Sequence, residues 1–224
     1  MTTFQDLLSQ HIASSLLKQQ ALGDFLGNHN WGVDITAGTV DFGKGCVYPI
    51  QIIGTESDIN GTWLWGWAND ASGIPPQLLT CANTLRELGE EQQIDILSQA
   101  QLQLGEIDGH LLTIVASGVC NADAYYRGPY DGGAVFFLIK QSPLAEQAPT
   151  SPITLINMIS SVISQFSVQH RLMVQAFLQQ QGYQLTESLT EVIALSPSGH
   201  TITITFDDMG RISNMKTSTG VERT

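Results

Sequence analysis

The stretch Gly54-Thr-Glu-Ser-Asp-Ile-Asn-Gly-Thr-Trp-Leu-Trp-Gly-Trp67 decides how the first half of the chain folds. Asn60-Gly61 stands between two runs of alternating side chains, and this pair accepts the positive φ angles of a tight hairpin turn. The sequence therefore predicts a hairpin with strands from Val47 to Gly54 and from Thr62 to Ala68. A two-residue turn would pair each tryptophan with a residue before the turn: Asp58 with Trp63, Glu56 with Trp65 and Gly54 with Trp67.

Trp63, Trp65 and Trp67 lie two residues apart, so a strand would place the three indoles on one face. In the predicted register, that face also carries two carboxylates, and this combination suits cations, ammonium groups or sugars. If the loop were one residue longer or shorter, Ser57 and Thr55 would lie beside the tryptophans in place of the two carboxylates. The alternative is that the indoles belong to the core, since each buries about 150–250 Å². We expect a mixture, with Trp65 and Trp67 buried and Trp63 near the rim.

Helices and short strands follow one another along the rest of the chain. Apolar spacing predicts helices over 4–26, from Pro75-Pro76 to about Gln92, over 153–166, and from a cap at Ser167 to Gly182. Period-two patterns predict a hairpin over 31–42 and strands at 101–105, 110–119, 133–140, 183–187, 191–195, 200–206 and 211–215. Without strict βαβ alternation, this order predicts an α+β fold: an antiparallel sheet packed with helices, followed by a small helix-plus-meander α+β module.

Residues 142–152 contain three prolines and no periodicity, which is typical of a linker. We therefore expect a main α+β domain over 1–141 and a smaller module over 153–224. The core of a module of about 70 residues is marginal alone, so docking on the main domain is expected. Apolar residues of the 153–166 helix occupy more than one stripe and need cover on more than one side. A homodimer interface and cover from within the chain are the two alternatives.

Composition excludes several classes of protein. The chain has 224 residues, 42% of them hydrophobic, and its 21 acidic and 9 basic residues give a formal charge of -12. Residues 1–126 hold 14 acidic residues and three basic ones. Such a charge excludes binding to a nucleic-acid backbone and favours cationic partners, although solubility alone accounts for it. The absence of a leader-like start and of any long apolar run predicts a cytoplasmic protein, away from membranes, with reduced thiols at Cys46, Cys81 and Cys120.

Motifs for known chemistry are absent. Residues 38–44 match a phosphate-binding loop up to Lys44, but Gly45 stands where the motif needs a hydroxyl for magnesium. Glu106, Asp108 and His110 alternate, yet Asp108-Gly109 is typical of a turn. The sequence therefore predicts no metal site and no cofactor.

The segment Asp123-Ala-Tyr-Tyr-Arg-Gly-Pro-Tyr-Asp-Gly-Gly133 concentrates polar chemistry in a predicted loop. Its candidate binding residues are two carboxylates, three phenols and one guanidinium: Asp123, Asp131, Tyr125, Tyr126, Tyr130 and Arg127. Arg127 is expected to pair with Asp123 or Asp131. Loops on a rigid sheet often carry function, but this one could equally pack its own tyrosines around one ion pair.

Several motifs together resemble a bacterial family. They are Trp31-Gly-Val-Asp34, Gly54-Thr-Glu-Ser57, Gly61-Thr-Trp-Leu-Trp65, Trp67-Ala-Asn69, Leu85-Arg-Glu-Leu-Gly89 and Ala122-Asp-Ala-Tyr-Tyr-Arg-Gly-Pro-Tyr-Asp-Gly-Gly-Ala134. In combination they resemble a family of uncharacterised bacterial proteins, described as a domain of unknown function, over roughly residues 10–140. The resemblance implies a bacterial cytoplasmic protein and assigns no activity to any residue.

Two functional hypotheses follow. The first is a non-enzymatic binding module for a small molecule or a protein. It would use the aromatic strand face with Glu56, Asp58, Trp63 and Trp65, together with the tyrosine-rich segment. The second is an enzyme of unidentified class, whose pocket would gather Tyr125, Tyr126, Arg127, Asp131 and Glu56. A pocket with convergent polar groups would distinguish the second from the first.

Overall fold

The structure is a computed structural model that describes residues 1–146 and 150–219. It divides into two compact units: unit 1 comprises Met1–Phe4 and Leu17–Gln147, and unit 2 comprises Gln5–Leu16 and Ala148–Thr224. The first helix, α1 (Phe4–Leu26), contributes residues to both units. Residues 147–149 of the predicted linker lie outside the described residues, and the predicted domain boundary stays a prediction.

Unit 1 is built on a seven-stranded antiparallel sheet. Its strands are β1 (Gly32–Asp34), β2 (Thr39–Asp41), β3 (Val47–Ser57), β4 (Thr62–Trp65), β5 (Gln101–Gln103), β6 (Ala124–Tyr130) and β7 (Gly133–Ile139). The long strand β3 is central, because it pairs with β2 and β4 at different points of its length and with β7. Strand β6 extends the sheet beyond β7.

Three further helices belong to unit 1: α2 (Thr80–Gln92), α3 (Asp95–Ser98) and α4 (Gly109–Val119). Short 3-10 turns lie at Gly66–Ala68, Asp70–Ser72, Pro76–Leu78 and Pro143–Glu146. These helices and antiparallel strands confirm the predicted α+β class.

The prediction of a strand over 110–119 was wrong, because these residues form α4. Residues 112–117 are all buried, so apolar residues cover all sides of the helix there and leave no helical stripe to recognise. The start of α4 does carry a signal: the Asp108 side chain accepts a hydrogen bond from the Leu111 N–H at 2.9 Å. Asp108 therefore caps a helix, where the sequence was taken to indicate a turn.

The prediction of a loop over 121–133 was also wrong. Residues 124–130 form β6, which pairs with β7 along its whole length and turns at residues 131–132. Pro129 lies within this strand, although proline cannot donate to a sheet ladder. It is accommodated because β6 pairs on one side only within the described sheet.

The β3–β4 hairpin is observed, but its register differs from the predicted one. Its loop has four residues, 58–61, so the observed pairs are Ser57 with Thr62, Glu56 with Trp63 and Gly54 with Trp65. A shift of two residues keeps every side chain on its predicted face, because the side-chain period of a strand is two. Asp58 is consequently in the loop and not opposite Trp63.

The tryptophans are distributed differently from the expectation. Trp63 and Trp65 are both 0% exposed, whereas Trp67 is half-buried in a 3-10 turn after β4. Trp63 is therefore core and not rim. The Trp63 indole lies against Gly54, where an added Cβ would fall 2.4 Å from the ring. The centroid of the indole is 5.3 Å from the ring centroid of Phe136.

The two faces of the sheet of unit 1 pack against different elements. Side chains alternate along β6, so Tyr125 and Arg127 share the face that meets α4, and Tyr126 lies on the other. That other face contributes to a core cluster whose buried members are Leu22, Val40, Phe42, Ile50, Ile52, Leu78, Ala124, Phe137 and Ile139. One motif of the chain thus supplies side chains to both faces.

Unit 2 contains α5 (Pro152–Gln165), α6 (His170–Gln180) and a four-stranded antiparallel meander. The strands are β8 (Gln184–Glu187), β9 (Glu191–Leu195), β10 (His200–Phe206) and β11 (Ile212–Thr219). Ser151 caps α5 by accepting a hydrogen bond from the Thr154 N–H, and Pro152 occupies the first turn. Helix α6 begins at His170, so the predicted cap at Ser167 lies too early; Gln169 holds that position.

No helix within the described ranges combines the length and apolar character needed to cross a bilayer.

Candidate functional site

Two hairpin tips of unit 1 lie side by side. Strands β3 and β7 are paired up to Ser57 and Gly133, so the loop after β3 meets the turn before β7. The Asp58 N–H donates to the Gly132 carbonyl at 3.0 Å. The Ile59 Cδ1 lies 3.3 Å from the place that a Cβ on Gly132 would take. We call Asp58, Ile59, Arg127, Tyr130 and Asp131 the hairpin-tip surface.

This surface exposes large apolar groups. Ile59 is 81% exposed and Tyr130 is 50% exposed, and both stand on hairpins that the sheet holds in place. Asp58 and Asp131 are exposed beside them. An aliphatic side chain, a phenol and charged groups therefore share one exposed edge.

Arg127 connects this surface to the sheet. Its Nη2 lies 3.7 Å from Oδ1 of Asp58, and its Cζ lies 5.9 Å from the centroid of Phe136. The expected pairing with Asp123 or Asp131 was wrong. Four residues along an extended strand span about 13 Å, which puts Asp123 out of reach. Asp123 instead accepts a hydrogen bond from the Ser142 N–H at 2.7 Å.

Tyr125 is buried beneath the same face and contacts α4. Its hydroxyl oxygen is 3.1 Å from Nδ1 of His110. Burial raises the pKa of Tyr125 to about 12, and the negative charge of Asp108 adds to the rise. The phenol is therefore protonated at neutral pH and able to donate to the imidazole. His110 was missed as a partner of Tyr125, because residues 110–119 were predicted to be a strand.

Glu56 faces the start of α4. Its Oε2 lies 2.7 Å and the Phe136 Cζ lies 2.8 Å from the place that a Cβ on Gly109 would take, so a side chain at this first residue of the helix would displace both. A carboxylate at a helix N-terminus is favoured by the partial positive charge there. Glu56, Tyr125 and Arg127 thus share one face of the sheet.

Tyr126 lies on the opposite face, because neighbouring residues of a strand point to opposite sides. Its hydroxyl oxygen is 3.1 Å from Nε2 of His29, and its ring contacts Phe42 and Trp31. A cleft of about 440 Å³ adjoins this cluster and is lined by Phe25, Leu26, Asn28, His29, Asn30, Phe42, Gly43, Lys44 and Cys46. The structure does not bring Tyr125 and Tyr126 into one pocket.

Trp63 and Trp65 offer no exposed face to a ligand, since both indoles are completely buried. The Trp65 Nε1 donates to the Ile96 carbonyl at 3.1 Å, which holds β4 against α3. These two residues build the platform under the hairpin-tip surface and do not form part of that surface.

Candidate metal ligands do not assemble in the part of the chain that the structure describes. No group of three or more histidine, cysteine, aspartate or glutamate side chains is placed to hold an ion there.

The comparisons agree with the motif-based resemblance. No curated protein and no solved structure matches the chain significantly. A family model described as "Family of unknown function (DUF6882)" matches residues 5–142, a range that includes both hairpins of the candidate surface. The chain therefore belongs to this family of unknown function.

Proposed function

We propose that unit 1 is a binding module that recognises a partner protein through the hairpin-tip surface. The observation that carries this proposal is the pair of exposed side chains Ile59 and Tyr130 on two adjacent hairpin tips. Tyrosine and arginine are enriched among the residues that dominate binding energy at protein interfaces. Ile59 adds an aliphatic side chain, and Arg127, on the opposite face of β6 from Tyr130, belongs to the polar rim of the tip.

The scaffold favours binding with little rearrangement. Each tip is held by antiparallel pairing, and the Asp58 N–H bond to Gly132 joins the two tips. A surface that is already ordered loses less conformational entropy when it associates. The exposed loops are short, which limits their freedom further.

The charge of this region indicates the partner's chemistry. Asp58 and Asp131 flank the apolar centre, and residues 1–126 carry 14 acidic and three basic residues. Arg127 is held near Asp58, so the carboxylate of Asp131 has no cation within the residues of the defined surface. We therefore infer a partner segment with an apolar side chain next to lysine or arginine. Its association should slow as salt is added.

The test places a photo-crosslinking amino acid at position 130 of the full chain in its native host. Mass spectrometry identifies the adduct, and calorimetry then measures the affinity of that purified partner. Tyr130→Ala should weaken binding by about 30-fold, which corresponds to a hot-spot loss of about 2 kcal/mol. Ile59→Ser should act in the same direction.

Ile35 provides the matched control, because it is an exposed aliphatic residue of unit 1 in the turn between β1 and β2. Ile35→Ser should leave the affinity unchanged, and a crosslinker at position 35 should not capture the same partner. Unchanged affinity in both Tyr130→Ala and Ile59→Ser would contradict the proposal.

A second candidate function is recognition of a small anion in the cleft beside Tyr126. It is favoured by Lys44 and His29, which line a cleft of about 440 Å³ in an otherwise acidic region. This volume lies within the range of small-molecule sites. Thermal-shift measurements with inorganic phosphate and citrate test it: stabilisation should occur and should disappear in Lys44→Gln.

A further inference from the structure

We propose that Cys81 and Cys120 form a redox-active thiol pair that closes to a reversible disulfide when the protein meets a peroxide. The two residues are 39 positions apart in the chain, and no spacing motif links them. The fold brings them together, because Cys81 lies in the first turn of α2 and Cys120 directly follows α4.

The contact between them is direct. The Cys120 thiol donates to the carbonyl oxygen of Cys81, which lies 3.7 Å from its Sγ. The two residues are thus neighbours in space, and closing a disulfide requires movement of side chains that already lie beside each other. Cys46, the third cysteine, lies between β2 and β3 and interacts with Tyr48.

Lys140 supplies positive charge to the pair. Its ammonium donates to the carbonyl oxygen of Cys120 and, at 3.1 Å, to that of Asn121. The hydrogen bond from the Cys120 thiol lowers the pKa of Cys81 to about 7; burial opposes this change and the charge of Lys140 supports it. The same hydrogen bond, together with burial, raises the pKa of Cys120. Near neutral pH, Cys81 is thus the more readily ionised thiol of the pair, and Cys120 stays neutral.

These protonation states assign a role to each sulfur. The Cys81 thiolate attacks one oxygen of hydrogen peroxide, the O–O bond breaks, and hydroxide leaves while Cys81 becomes a sulfenic acid. The Cys120 sulfur then attacks the Cys81 sulfur, the S–O bond breaks, and the proton of Cys120 leaves with the hydroxyl group as water. Two electrons pass from the two sulfurs to the peroxide, which is reduced to hydroxide and water.

Access favours a small oxidant. Cys81 is 9% exposed and Cys120 is half-buried, so a peroxide reaches the pair more easily than a bulky disulfide does. The product would tie the start of α2 to the end of α4. A cross-link that closes a long loop restricts the unfolded chain and thereby stabilises the fold.

The experiment treats the folded full-length protein with hydrogen peroxide, alkylates the remaining thiols, and maps peptides by mass spectrometry. We expect a linked Cys81–Cys120 peptide, with Cys46 still alkylated, and full recovery of three free thiols after dithiothreitol. The oxidised protein should melt at a higher temperature than the reduced one.

Single variants separate the roles. Cys46→Ser should form the same linked peptide at the wild-type rate. Cys120→Ser should leave a sulfenic acid at Cys81 that dimedone traps, whereas Cys81→Ser should lower the rate of peroxide consumption by at least ten-fold. A linked peptide that appears only after denaturation, or peroxide consumption that is unaffected by Cys81→Ser, would overturn the proposal.

Discussion

Replacing Gly128 by alanine tests how the motif around β6 is used. An alanine methyl there would lie 2.5 Å from Cη2 and 2.7 Å from Cζ3 of Trp31, where ordinary contacts measure 3.4–4 Å. The Trp31 ring would therefore have to move by about 1 Å. Gly128 has no positive φ, so alanine meets no backbone strain at this position. The whole cost comes from the displaced indole.

The magnitude follows from the packing of that indole. Its centroid lies 5.8 Å from that of Tyr126 and 6.3 Å from that of Phe137, so the ring has neighbours on its inner side. Overpacking of this kind costs about 1–3 kcal/mol. Since Trp31 is only half-buried and can yield outward, we expect a loss of about 2 kcal/mol, within that range. For a chain of this length this corresponds to a fall in Tm of roughly 4–8 °C.

Trp31→Ala should remove the clash, so alanine at position 128 should then cost less than about 0.5 kcal/mol. The resulting coupling energy of about 1.5 kcal/mol is measurable in a double-mutant cycle. Urea unfolding followed by tryptophan fluorescence is the assay, because the four tryptophans all belong to unit 1. Gly32→Ala is the control, since nothing lies within 4 Å of its added Cβ. An undiminished loss in the Trp31→Ala background would refute the reasoning.

Three further predictions concern ionisation, domain organisation and assembly. Burial raises the pKa of Tyr125 to about 12, from about 10 in unfolded chains. The free energy of unfolding should therefore be unaffected below about pH 10 and should fall by up to about 3 kcal/mol as the pH rises through 12. Tyr125→Phe should remove that part of the fall in alkaline urea titrations. Limited proteolysis should cut first between Leu144 and Ser151, whereas first cleavage within 121–132 would place the boundary elsewhere. If the 153–166 helix closes a homodimer, light scattering should give a molar mass of twice 24.3 kDa, and Ile153→Ser should halve that mass. A wild-type monomer at tens of micromolar would exclude the dimer.

Elements with a regular period were predictable from the sequence. Helix α1 has the predicted bounds, because its apolar residues recur at helical spacing and Gly27 ends it with a φ of 53°. The β3–β4 hairpin and the meander of unit 2 also follow from alternation and turn residues. In these segments local preference and tertiary packing favour the same structure.

Elements whose environment overrides the local pattern were not predictable. Helix α4 is buried on all sides, so its apolar run resembles a strand. Strand β6 contains Gly128 and Pro129, which usually indicate a loop. Both were misassigned because the deciding factor is what packs around the segment.

Contacts between distant residues were the least predictable part of the site. Arg127 pairs with Asp58, 69 positions earlier, and not with the nearby acidic residues. The Tyr125–His110 pair depended on recognising α4 as a helix. A single sequence carries no signal for such pairs, because they depend on strand order and helix placement.

Packing accounts for many of the residues in the motifs. Gly128 admits Trp31, Gly54 admits Trp63, and Gly109 admits Phe136 and the Glu56 carboxylate. In each case an aromatic ring of one segment packs on a glycine of another. Packing alone explains both the glycines and the rings, and no ligand is needed. Ile59 and Tyr130 also lie over glycines, Gly132 and Gly133, but they remain 81% and 50% exposed. Their adjacent exposed side chains on two ordered hairpins are therefore the feature behind the proposed partner, and the crosslinking experiment at position 130 tests it.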